Sequence, residues 1–572
     1  MTRIQVIGIF VIIMFLFLGL AVFNLAVIKG SKYRDLSNKN CIRLLSQPGA
    51  RGKILDTDGR VIVDNKLSYD VLILSRNSTA VYKILNDVAR ILGKDPKTLE
   101  NTFKKCFVGS SMPTPVARNI DLKQAIALEE LKSETPGIII QPNPLRRYSY
   151  GSLACHVIGY LNEIDRWRLT KLEDYGYKTK DIVGFGGVEE KYDYYLRQEE
   201  GGLSVEVDHR GRFTRVLGFR PPFNGRDIQL TINLRIQKIA EDKLADKKGS
   251  VVIMDPFTGA IVVMASFPNF NPAVFVDRSS GAITALFSNP DGPLINRAIS
   301  SVYPAGSIFK LVVASGGLEA NKINLNTTFV CTGSIMVGGM EFDCWNVHGP
   351  ENLNQAIAHS CNIFFYKTGL MLGAQNIYDY ALKFGLSHPT GFELPYEAGG
   401  LIPSPLWKKV RRFKGWFDGD TANLSIGQGD VLVSPIQMAR MASVFANRGV
   451  LVTPYIVKSV DGKDVTAYRN KQSVKVPIKD STIEAVREGM RQVVLDPAGT
   501  AAPLSALTVP VAAKTGTAQA PPGLAHGWFI GFFPYKNPKY AICVFLEHGG
   551  SGYASSIVAK QIIDEMAKEG LL

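Results

Sequence analysis

Cysteine is scarce in this chain, and its scarcity limits the architectures that are open to it. The 572 residues include 7 cysteines, too few for the disulfide framework that holds a small secreted domain together. Because the number is odd, at least one cysteine must be unpaired, bound to a metal or joined to another chain. Internal repeats and low-complexity stretches are also missing from the sequence. With 46% hydrophobic and 20% charged residues, the chain is globular rather than disordered.

Nucleic-acid and nucleotide binding find no support in the sequence. The net charge is +14, yet no compact run of lysine and arginine occurs and no nucleic-acid-binding motif is present. We therefore expect no nucleic-acid partner, and we attribute the basic balance to work beside an anionic membrane and its surroundings. The glycine-rich turn Gly184–Gly187 lacks the strand–GxGxxG–helix context that a phosphate-binding loop requires.

The first residues contain no charge over a long stretch. Ile4 to Ile28 is an uncharged, apolar run, and about 20 such residues cross a ~30 Å hydrocarbon core. The run continues directly into a polar segment, with no small-residue cleavage site, which favours an uncleaved membrane anchor. The positive-inside rule alone argues against a cytoplasmic N-terminus, because one cation precedes the run and four follow it: Arg3, then Lys29, Lys32, Arg34 and Lys39. We still expect an extracytoplasmic body, since long C-terminal domains translocate despite such charges.

The chain divides into three parts on its pattern. We predict an anchor at 1–29, an elongated α+β domain at 30–225 and a second α+β domain with an antiparallel sheet at 226–572. The middle part contains a predicted helical stalk at 31–46, a β-hairpin around a D-T-D-G turn at 51–65 and helix-like sequence at 79–135. The boundary falls in the sequence PPFNGRD at 221–227, after which strands and helices mix without regular βαβ alternation.

Three short motifs of the last part carry the chemistry. They are Ser307-Ile-Phe-Lys310, Ser360-Cys-Asn362 and Lys514-Thr-Gly516, in this order along the chain. Serine and lysine at i and i+3 share one face of a helix. The N-terminal end of that helix favours a serine that loses its proton. Burial together with a second cation, Lys514, lowers the pKa of Lys310, so that its neutral amine can act as the base.

Each motif taken singly has an ordinary structural interpretation. Ser307 can cap a helix, Lys310 can be a solvated lysine, and the Lys514 motif can form a β-turn. An S-x-N sequence also occurs at 75–77, so that motif alone has little weight. The three motifs in order, with this spacing, instead match the S-x-x-K, S-x-N and K-T-G set of penicillin-binding proteins and serine β-lactamases.

The chain resembles the class B penicillin-binding proteins over nearly its whole length. The matching segments are RGKILDTDGRVIVDN, LRRYSYGSLACHVIGYL, GFGGVEEKYDYYL and GRDIQLTINLRIQ, with Ser149 where the family usually has proline. The segment SIGQGDVLVSPIQMA at 425–439 is similar to the elongation-type members. The resemblance implies a transmembrane helix, an elongated pedestal and a penicillin-binding transpeptidase domain of the serine β-lactamase-like fold.

The resemblance also implies a reaction and the role of each residue. Ser307 attacks the penultimate D-alanine of a stem peptide, Lys310 accepts its proton, and Ser360 passes a proton to the leaving amine. Asn362 holds the substrate amide and Lys310. The substrate carboxylate is bound by the residues of the third motif and its neighbour: Lys514, Thr515, Gly516 and Thr517. Backbone N–H groups of Ser307 and Thr517 are expected to form the oxyanion hole. No organic cofactor is needed, and β-lactams are expected to acylate Ser307.

Three cysteines and a histidine fall in one window around the second motif: Cys331, Cys344, His348 and Cys361. Three thiolates and one imidazole form a common structural zinc set. The alternatives are a Cys331–Cys344 disulfide and Cys361 as a small buried residue. Some elongation-type relatives are similar here, with a metal held by aspartate, histidine and cysteine. In that comparison His348 and Cys361 match two ligands, the other two cysteines replace aspartates, and Asp343 is a further candidate ligand.

Other functions remain open from the sequence. A β-lactamase or β-lactam sensor shares the three motifs but does not explain the segment before 226. A D,D-carboxypeptidase passes the same acyl group to water, and a scaffold would only activate a glycan polymerase. The sequence contains no glycosyltransferase motif, so the polymerase is expected to be a separate protein. The resemblance implies the SEDS-family polymerase RodA and other elongation-complex membrane proteins as partners, and location in the cytoplasmic membrane.

Overall fold

A computed structural model describes residues 2–34, 42–73, 78–107, 113–132, 135, 137–207, 213–466 and 473–572. The chain forms two compact units. The first unit comprises Met1–Gly52, Asn65–Arg146 and Arg197–Gly225. The second comprises Lys53–Asp64, Arg147–Leu196 and Arg226–Leu572. Two segments that lie before residue 226 therefore fold with the large C-terminal part.

The predicted anchor is a helix without buried residues. An α-helix runs over Arg3–Phe23 and continues as a π-helical turn over Asn24–Ile28. The stretch Arg3–Ile28 has 26 residues and a mean hydropathy of 3.1, so by length and composition it is able to cross a membrane.

The first unit has a small core between a sheet and three helices. Within it, the later half of strand Val61–Ile73 pairs antiparallel with Thr114–Ile120. Three helices supply apolar side chains to the core: Ser78–Leu92, Pro96–Cys106 and Leu122–Leu131. A separate antiparallel sheet consists of Ile42–Gln47, Gly201–Val207 and Phe213–Arg220.

Two predictions for this unit are wrong in part. Of the predicted helical stalk at 31–46, residues 31–34 are helical and 35–41 lie outside the described residues. The remainder is strand, because Ile42–Gln47 pairs with Gly201–Val207. The helix-like stretch 79–135 likewise contains the strand Thr114–Ile120. In both places the partner strand is distant in sequence, and a local pattern carries no information about such pairing.

The predicted hairpin after residue 51 is confirmed. Ile54–Leu55 pairs antiparallel with the beginning of Val61–Ile73. The Asp56 carboxylate accepts hydrogen bonds from the backbone N–H groups of Asp58, at 2.9 Å, and Arg60, at 2.8 Å. Gly59 takes a φ of +83°, a conformation that glycine adopts without steric cost. The D-T-D-G sequence therefore closes the turn as its composition predicts.

A five-stranded antiparallel sheet is the centre of the second unit. Its strand order is Ile261–Phe267, Gly249–Met254, Tyr540–Leu546, His526–Phe533 and Ala512–Ala518. Every residue of His526–Phe533 is buried, which means that both faces of the sheet are covered. The predicted α+β domain with an antiparallel sheet is thus confirmed. Its last strand, Ala512–Ala518, is an edge strand and carries the third motif.

The helices of this unit cover the sheet and supply the other two motifs. Leu234–Leu244 and the closing helix Gly552–Lys568 pack on each other and on the sheet. Pro435–Ala446 contacts three of its strands. The other principal helices are Lys310–Glu319, Leu353–Ala358, Asn362–Leu372, Ala374–Lys383, Pro405–Arg412, Asp418–Ser425 and Asp480–Leu495. Four short strands lie between the first and second motifs: Phe329–Cys331, Ser334–Val337, Met340–Asp343 and Gly349–Glu351.

Replacing Arg487 with methionine is expected to lower the free energy of unfolding by about 2–4 kcal/mol. The guanidinium is 2% exposed and donates to the backbone oxygens of Phe445, Ala446 and Tyr535. The Phe445 and Ala446 carbonyls belong to the last turn of the helix Pro435–Ala446, where no later N–H group of the helix can bond them. Chemical denaturation measures the change. Arg491→Met is the control, because Arg491 lies over the Tyr535 ring without bonding these carbonyls.

Candidate active site

The three motifs meet in one cleft of the second unit. A cavity of about 710 Å³ is lined by Ser307 and Ser360 and by the Thr515–Thr517 stretch of the edge strand. The nucleophile candidate comes from a turn before a helix, the second serine from a turn before another helix, and the third motif from the sheet. Residues that are more than 200 positions apart in sequence thus share one wall of the cavity.

Ser307 lies in a tight turn rather than in a regular α-helix. Gly306–Phe309 is a 3-10 helix, and the α-helix begins at Lys310. In a 3-10 turn the side chains at i and i+3 eclipse each other, so Ser307 and Lys310 still share a face, as their spacing predicts. Gly306 has a φ of +58°, and a Cβ there would lie 2.7 Å from the Thr517 backbone oxygen. Glycine at this position therefore lets the turn approach the edge strand.

Lys310 is fully buried and bound to the second motif. Its Nζ donates to the Ser360 backbone oxygen at 2.7 Å and to the Asn362 Oδ1 at 2.6 Å. It also lies 3.3 Å from the Ser360 Oγ. Burial lowers the pKa of Lys310 to about 8, because the charged ammonium loses its hydration. A substantial fraction of the amine is therefore neutral near physiological pH.

The Ser360 hydroxyl joins two lysines. Lys514 Nζ donates to the Ser360 Oγ at 2.9 Å and to the Thr515 backbone oxygen at 2.9 Å. Lys514 is 0% exposed. Burial, followed by the charge of Lys310, holds the pKa of Lys514 well below its usual value. The hydroxyl between them can exchange a proton with either amine.

Ser360 adopts a backbone conformation that is unusual for serine. Its φ is +57°, in the left-handed region that side chains other than glycine and asparagine rarely occupy. The following residue, Cys361, is the N-cap of helix Asn362–Leu372. Asn362 Nδ2 donates to the Asp343 backbone oxygen at 3.0 Å, which fixes the amide while its Oδ1 faces Lys310. Strain of this kind persists where surrounding contacts hold it, often at functional sites.

The edge strand presents its third motif to the cleft. Along Ala512–Ala518, Lys514 pairs with Ile530 and Gly516 with Trp528. A Cβ on Gly516 would lie 3.2 Å from the Ile308 backbone nitrogen, so this strand and the Ser307 turn are in close contact. Thr517 is exposed to the cavity, and its Oγ1 accepts the backbone N–H of Gly552 at 3.0 Å.

Several cavity residues lie outside the three motifs. Thr500 is one of them: its Oγ1 lies 2.5 Å from the Thr515 Oγ1, and its backbone N–H bonds the Ala358 oxygen at 3.2 Å. Gln428 Nε2 donates to the Thr517 oxygen at 3.4 Å. Tyr366 and Tyr553 also line the cavity. No short motif marks Thr500 or the tyrosines, whereas Gln428 falls inside the segment that carries the resemblance.

The predicted cysteine and histidine set comes together behind the second motif. One ligand atom each from Cys331, Cys344, His348 and Cys361 lies within 4.8 Å of all the others. His348 Nδ1 is 3.5 Å from the sulfur of Cys331 and 3.5 Å from that of Cys344. Neither of these cysteines is in a disulfide. Asp343 does not belong to this group of four, although its backbone oxygen contacts Asn362.

The cysteine group favours a negative charge on the Cys344 sulfur. The hydrogen bond from the Cys361 thiol, together with several backbone N–H groups, lowers the pKa of Cys344, while the same hydrogen bond, followed by burial, raises the pKa of Cys361. The backbone N–H of Asn362 donates to the Cys344 sulfur at 3.2 Å. A thiolate at Cys344, beside two further thiols and an imidazole, is the donor set that zinc prefers.

Comparisons with known proteins agree with this architecture. The family model described as the penicillin binding protein transpeptidase domain matches residues 249–568, and the penicillin-binding protein dimerisation domain matches residues 46–230. The peptidoglycan D,D-transpeptidase MrdA of Escherichia coli K12 is 32% identical, covering 95% of this chain and 90% of the relative. MrdA of Acinetobacter baumannii is 31% identical, covering 97% and 86%.

Solved structures are similar over the same length. The penicillin-binding protein PBP2 of Helicobacter pylori, in complex with MreC, has a TM-score of 0.82 and 28% identity, covering 93% of this chain and all of that one. A chain of a peptidoglycan synthase complex has a TM-score of 0.74 and 29% identity, covering 100% and 99%. The chain therefore belongs to the penicillin-binding proteins and has their dimerisation and transpeptidase domains.

Proposed function

We propose that this protein cross-links peptidoglycan stem peptides during cell elongation, through an acyl-enzyme on Ser307. The observation that carries the proposal is the Ser360 hydroxyl, held 3.3 Å from the Lys310 amine and 2.9 Å from the Lys514 amine, in the cleft that Ser307 lines. The 32% identity to an MrdA transpeptidase over 95% of the chain supports the substrate and the elongation role.

The acylation step uses the residues as follows. The neutral Lys310 amine accepts the Ser307 proton as the serine oxygen attacks the carbonyl carbon of the penultimate D-alanine. The backbone N–H groups of Ser307 and Thr517 stabilise the negative charge on the carbonyl oxygen. The bond to the terminal D-alanine breaks, and its nitrogen receives a proton through the Ser360 hydroxyl. Free D-alanine leaves and an ester on Ser307 remains.

The second step transfers the acyl group to an amine. The amine of a neighbouring stem peptide attacks the ester carbon and loses its proton to the same relay, and the Ser307 hydroxyl is restored.

The remaining residues of the motifs bind the substrate. Asn362 holds the substrate amide and Lys310. Before the terminal D-alanine leaves, its carboxylate lies against the residues of the third motif and its neighbour: Lys514, Thr515, Gly516 and Thr517. β-Lactams mimic the D-Ala-D-Ala terminus and acylate the same serine.

Product analysis separates this function from its alternatives. The full chain in detergent is incubated with a donor peptide that ends in D-Ala-D-Ala and an acceptor peptide with a free amine. We expect a cross-linked dimer and one released D-alanine per dimer, measured by mass spectrometry. A shortened donor without dimer would identify a D,D-carboxypeptidase, and catalytic turnover of penicillin would identify a β-lactamase. A chain that never forms an acyl-enzyme would be a scaffold.

The anchor and the middle domain serve placement rather than chemistry. The apolar helix Arg3–Ile28 crosses the cytoplasmic membrane once, and the rest of the chain lies outside it, where stem peptides are found. The predicted divisions at 1–29, 30–225 and 226–572 remain proposals. A relative of similar fold is described in complex with MreC, and another belongs to a peptidoglycan synthase complex. We propose that this chain likewise joins elongation-complex membrane proteins and the SEDS polymerase RodA.

A structural zinc ion completes the site. Cys331, Cys344, His348 and Cys361 would hold it as a closed set of four ligands, which leaves no position for a reactive water. Bound zinc supplies a cross-link, not catalysis. The ligand Cys361 lies between Ser360 and Asn362, so the cross-link fixes the turn that places the Ser360 hydroxyl between the two lysines.

Replacing Cys361 with serine is expected to reduce zinc from about one ion per chain to near zero, because three remaining ligands bind far more weakly. The melting temperature and the rate of penicillin acylation should fall together. Metal analysis of protein purified without chelator measures the first effect. Cys106→Ser is the control, since Cys106 lies in the first unit and outside this group. A metal-free parent protein would contradict the zinc site.

A further inference from the structure

A histidine outside the three motifs joins two parts of the second unit that are distant in sequence. His359 Nδ1 lies 2.9 Å from Glu351 Oε1, and His359 Nε2 lies 3.1 Å from Asp496 Oδ2. The histidine side chain is 16% exposed and that of Glu351 is 3% exposed. Each ring nitrogen therefore faces a carboxylate oxygen in a place where water is largely excluded, and hydrogen bonds in such surroundings hold their groups firmly.

The backbone of His359 lies directly before the proton relay. The residue is the C-cap of the helix Leu353–Ala358, and its N–H donates to the Gln355 oxygen at 2.8 Å. Its own carbonyl oxygen accepts the Trp345 Nε1–H at 3.0 Å. Ser360 follows with its positive φ of +57°. Backbone and ring of His359 are thus both fixed, so the ring is a rigid support for whatever it bonds.

Asp496 is the first residue of a tight turn that follows the helix Asp480–Leu495. Its carboxylate is used on both sides: Oδ1 accepts the Ala498 backbone N–H at 2.9 Å, and Oδ2 faces the histidine. Its backbone oxygen accepts the N–H of Gly499 at 2.8 Å. A Cβ on Gly499 would lie 2.9 Å from that oxygen, so the turn is closely packed. The contact with His359 therefore fixes the turn as a whole.

The same turn is a wall of the cleft. Residues 498–500 line the cavity. Thr500 Oγ1 lies 2.5 Å from Thr515 Oγ1, and the Thr500 backbone N–H donates to the Ala358 oxygen at 3.2 Å. Thr515 is one of the residues to which the proposed reaction assigns the substrate carboxylate. The position of its hydroxyl thus depends on a turn whose first residue is bound by the histidine.

We infer that His359 is a positioning residue for recognition of the substrate carboxylate. Through Asp496 it holds the turn at 496–500, and the turn places the Thr500 hydroxyl against Thr515. Glu351 fixes the ring from the other side. The histidine sets the affinity of the cleft for a free carboxylate without being one of the groups that bind it. This inference rests on the proposed function, because it takes the carboxylate of D-Ala-D-Ala or of penicillin to bind at Thr515.

His359→Asn and His359→Gln separate the two sides of the ring. The asparagine amide nitrogen is as many bonds from Cβ as Nδ1, so it keeps the Glu351 contact and loses Asp496. Glutamine is the matched control, because its amide nitrogen corresponds to Nε2 and keeps the Asp496 contact. In His359→Asn the benzylpenicillin concentration for half-maximal acylation should rise about tenfold, the effect of losing one supporting hydrogen bond. The acylation rate at saturation should stay at the parent value, and His359→Gln should match the parent in both.

The methyl ester of benzylpenicillin makes the result specific, because it presents no carboxylate to the cleft. On the full chain in detergent, the second-order rate constant of acylation by the free acid should fall about tenfold in His359→Asn, as expected when only binding is lost. The constant for the ester should equal that of the parent. Titration with excess penicillin counts the folded chains. If His359→Asn does not fold, Asp496→Ala must give the same contrast between acid and ester.

Three results would overturn the positioning role. They are an unchanged half-saturation concentration in His359→Asn, an equal loss in His359→Asn and His359→Gln, and an equal loss for acid and ester, which would mean general destabilisation. In each of them the parent chain is still acylated and still cross-links peptides, so the proposed function stands. A parent chain that benzylpenicillin does not acylate overturns both.

Discussion

Ser307→Ala is expected to abolish covalent labelling by penicillin and to reduce cross-linking by on the order of a millionfold, as loss of the nucleophile does in serine acyl-transfer enzymes. Ser360, which shares the cleft, is not an equivalent hydroxyl, because its Oγ is bound by Lys514 at 2.9 Å and lies 3.3 Å from the Lys310 amine. Removing the Ser307 hydroxyl leaves the binding groups of the cleft in place, so substrate can still bind without reacting.

The measurement is quantitative labelling with a fluorescent penicillin, followed by digestion and identification of the labelled peptide. Ser315→Ala is the control, because Ser315 is buried on the helix that follows the Ser307 turn and its hydroxyl donates to the Leu311 oxygen. It should label at the parent rate. Persistent labelling of Ser307→Ala, or a labelled peptide that does not contain residue 307, would refute the assignment of the nucleophile.

The second large effect is the pH dependence of acylation and its loss in Lys310→Gln. Burial lowers the pKa of Lys310 to about 8, and only the neutral amine accepts a proton. The rate should therefore rise about tenfold per pH unit below this pKa and level off above it. Lys310→Gln should lower the plateau by roughly 10²–10⁴-fold, the usual contribution of a general base, and remove the inflection.

Stopped-flow acylation between pH 5 and pH 10 measures this profile. Lys322→Gln is the control, since Lys322 is an exposed lysine shortly after the same helix, and it should keep both the plateau and the inflection. The neighbouring Lys514 also has a lowered pKa, caused by burial and by the charge of Lys310. An inflection that persists in Lys310→Gln, moved to higher pH because the charge of Lys310 is gone, would therefore assign the base to Lys514 and contradict the proposed role of Lys310.

The sequence by itself determined the elements that depend on neighbouring residues. The uncharged run at the start specified the helix Arg3–Phe23, because length and polarity alone decide whether a segment suits a bilayer. The D-T-D-G turn specified a hairpin through side-chain bonds two to four residues away. The mixture of strands and helices after residue 226 indicated an α+β domain with an antiparallel sheet, and the structure contains this sheet. Three motifs in order indicated the family and its chemistry.

Only the tertiary structure decided which distant groups meet. The strand Ile42–Gln47 is a strand because it pairs with Gly201–Val207, and nothing in the six residues indicates that partner. Thr500 reaches Thr515, and Glu351 reaches His359 and, through it, Asp496. No sequence motif predicts any of these contacts. The lysine pKa shifts were likewise set by folding, because burial of a charge is a property of the surrounding core and not of the residue.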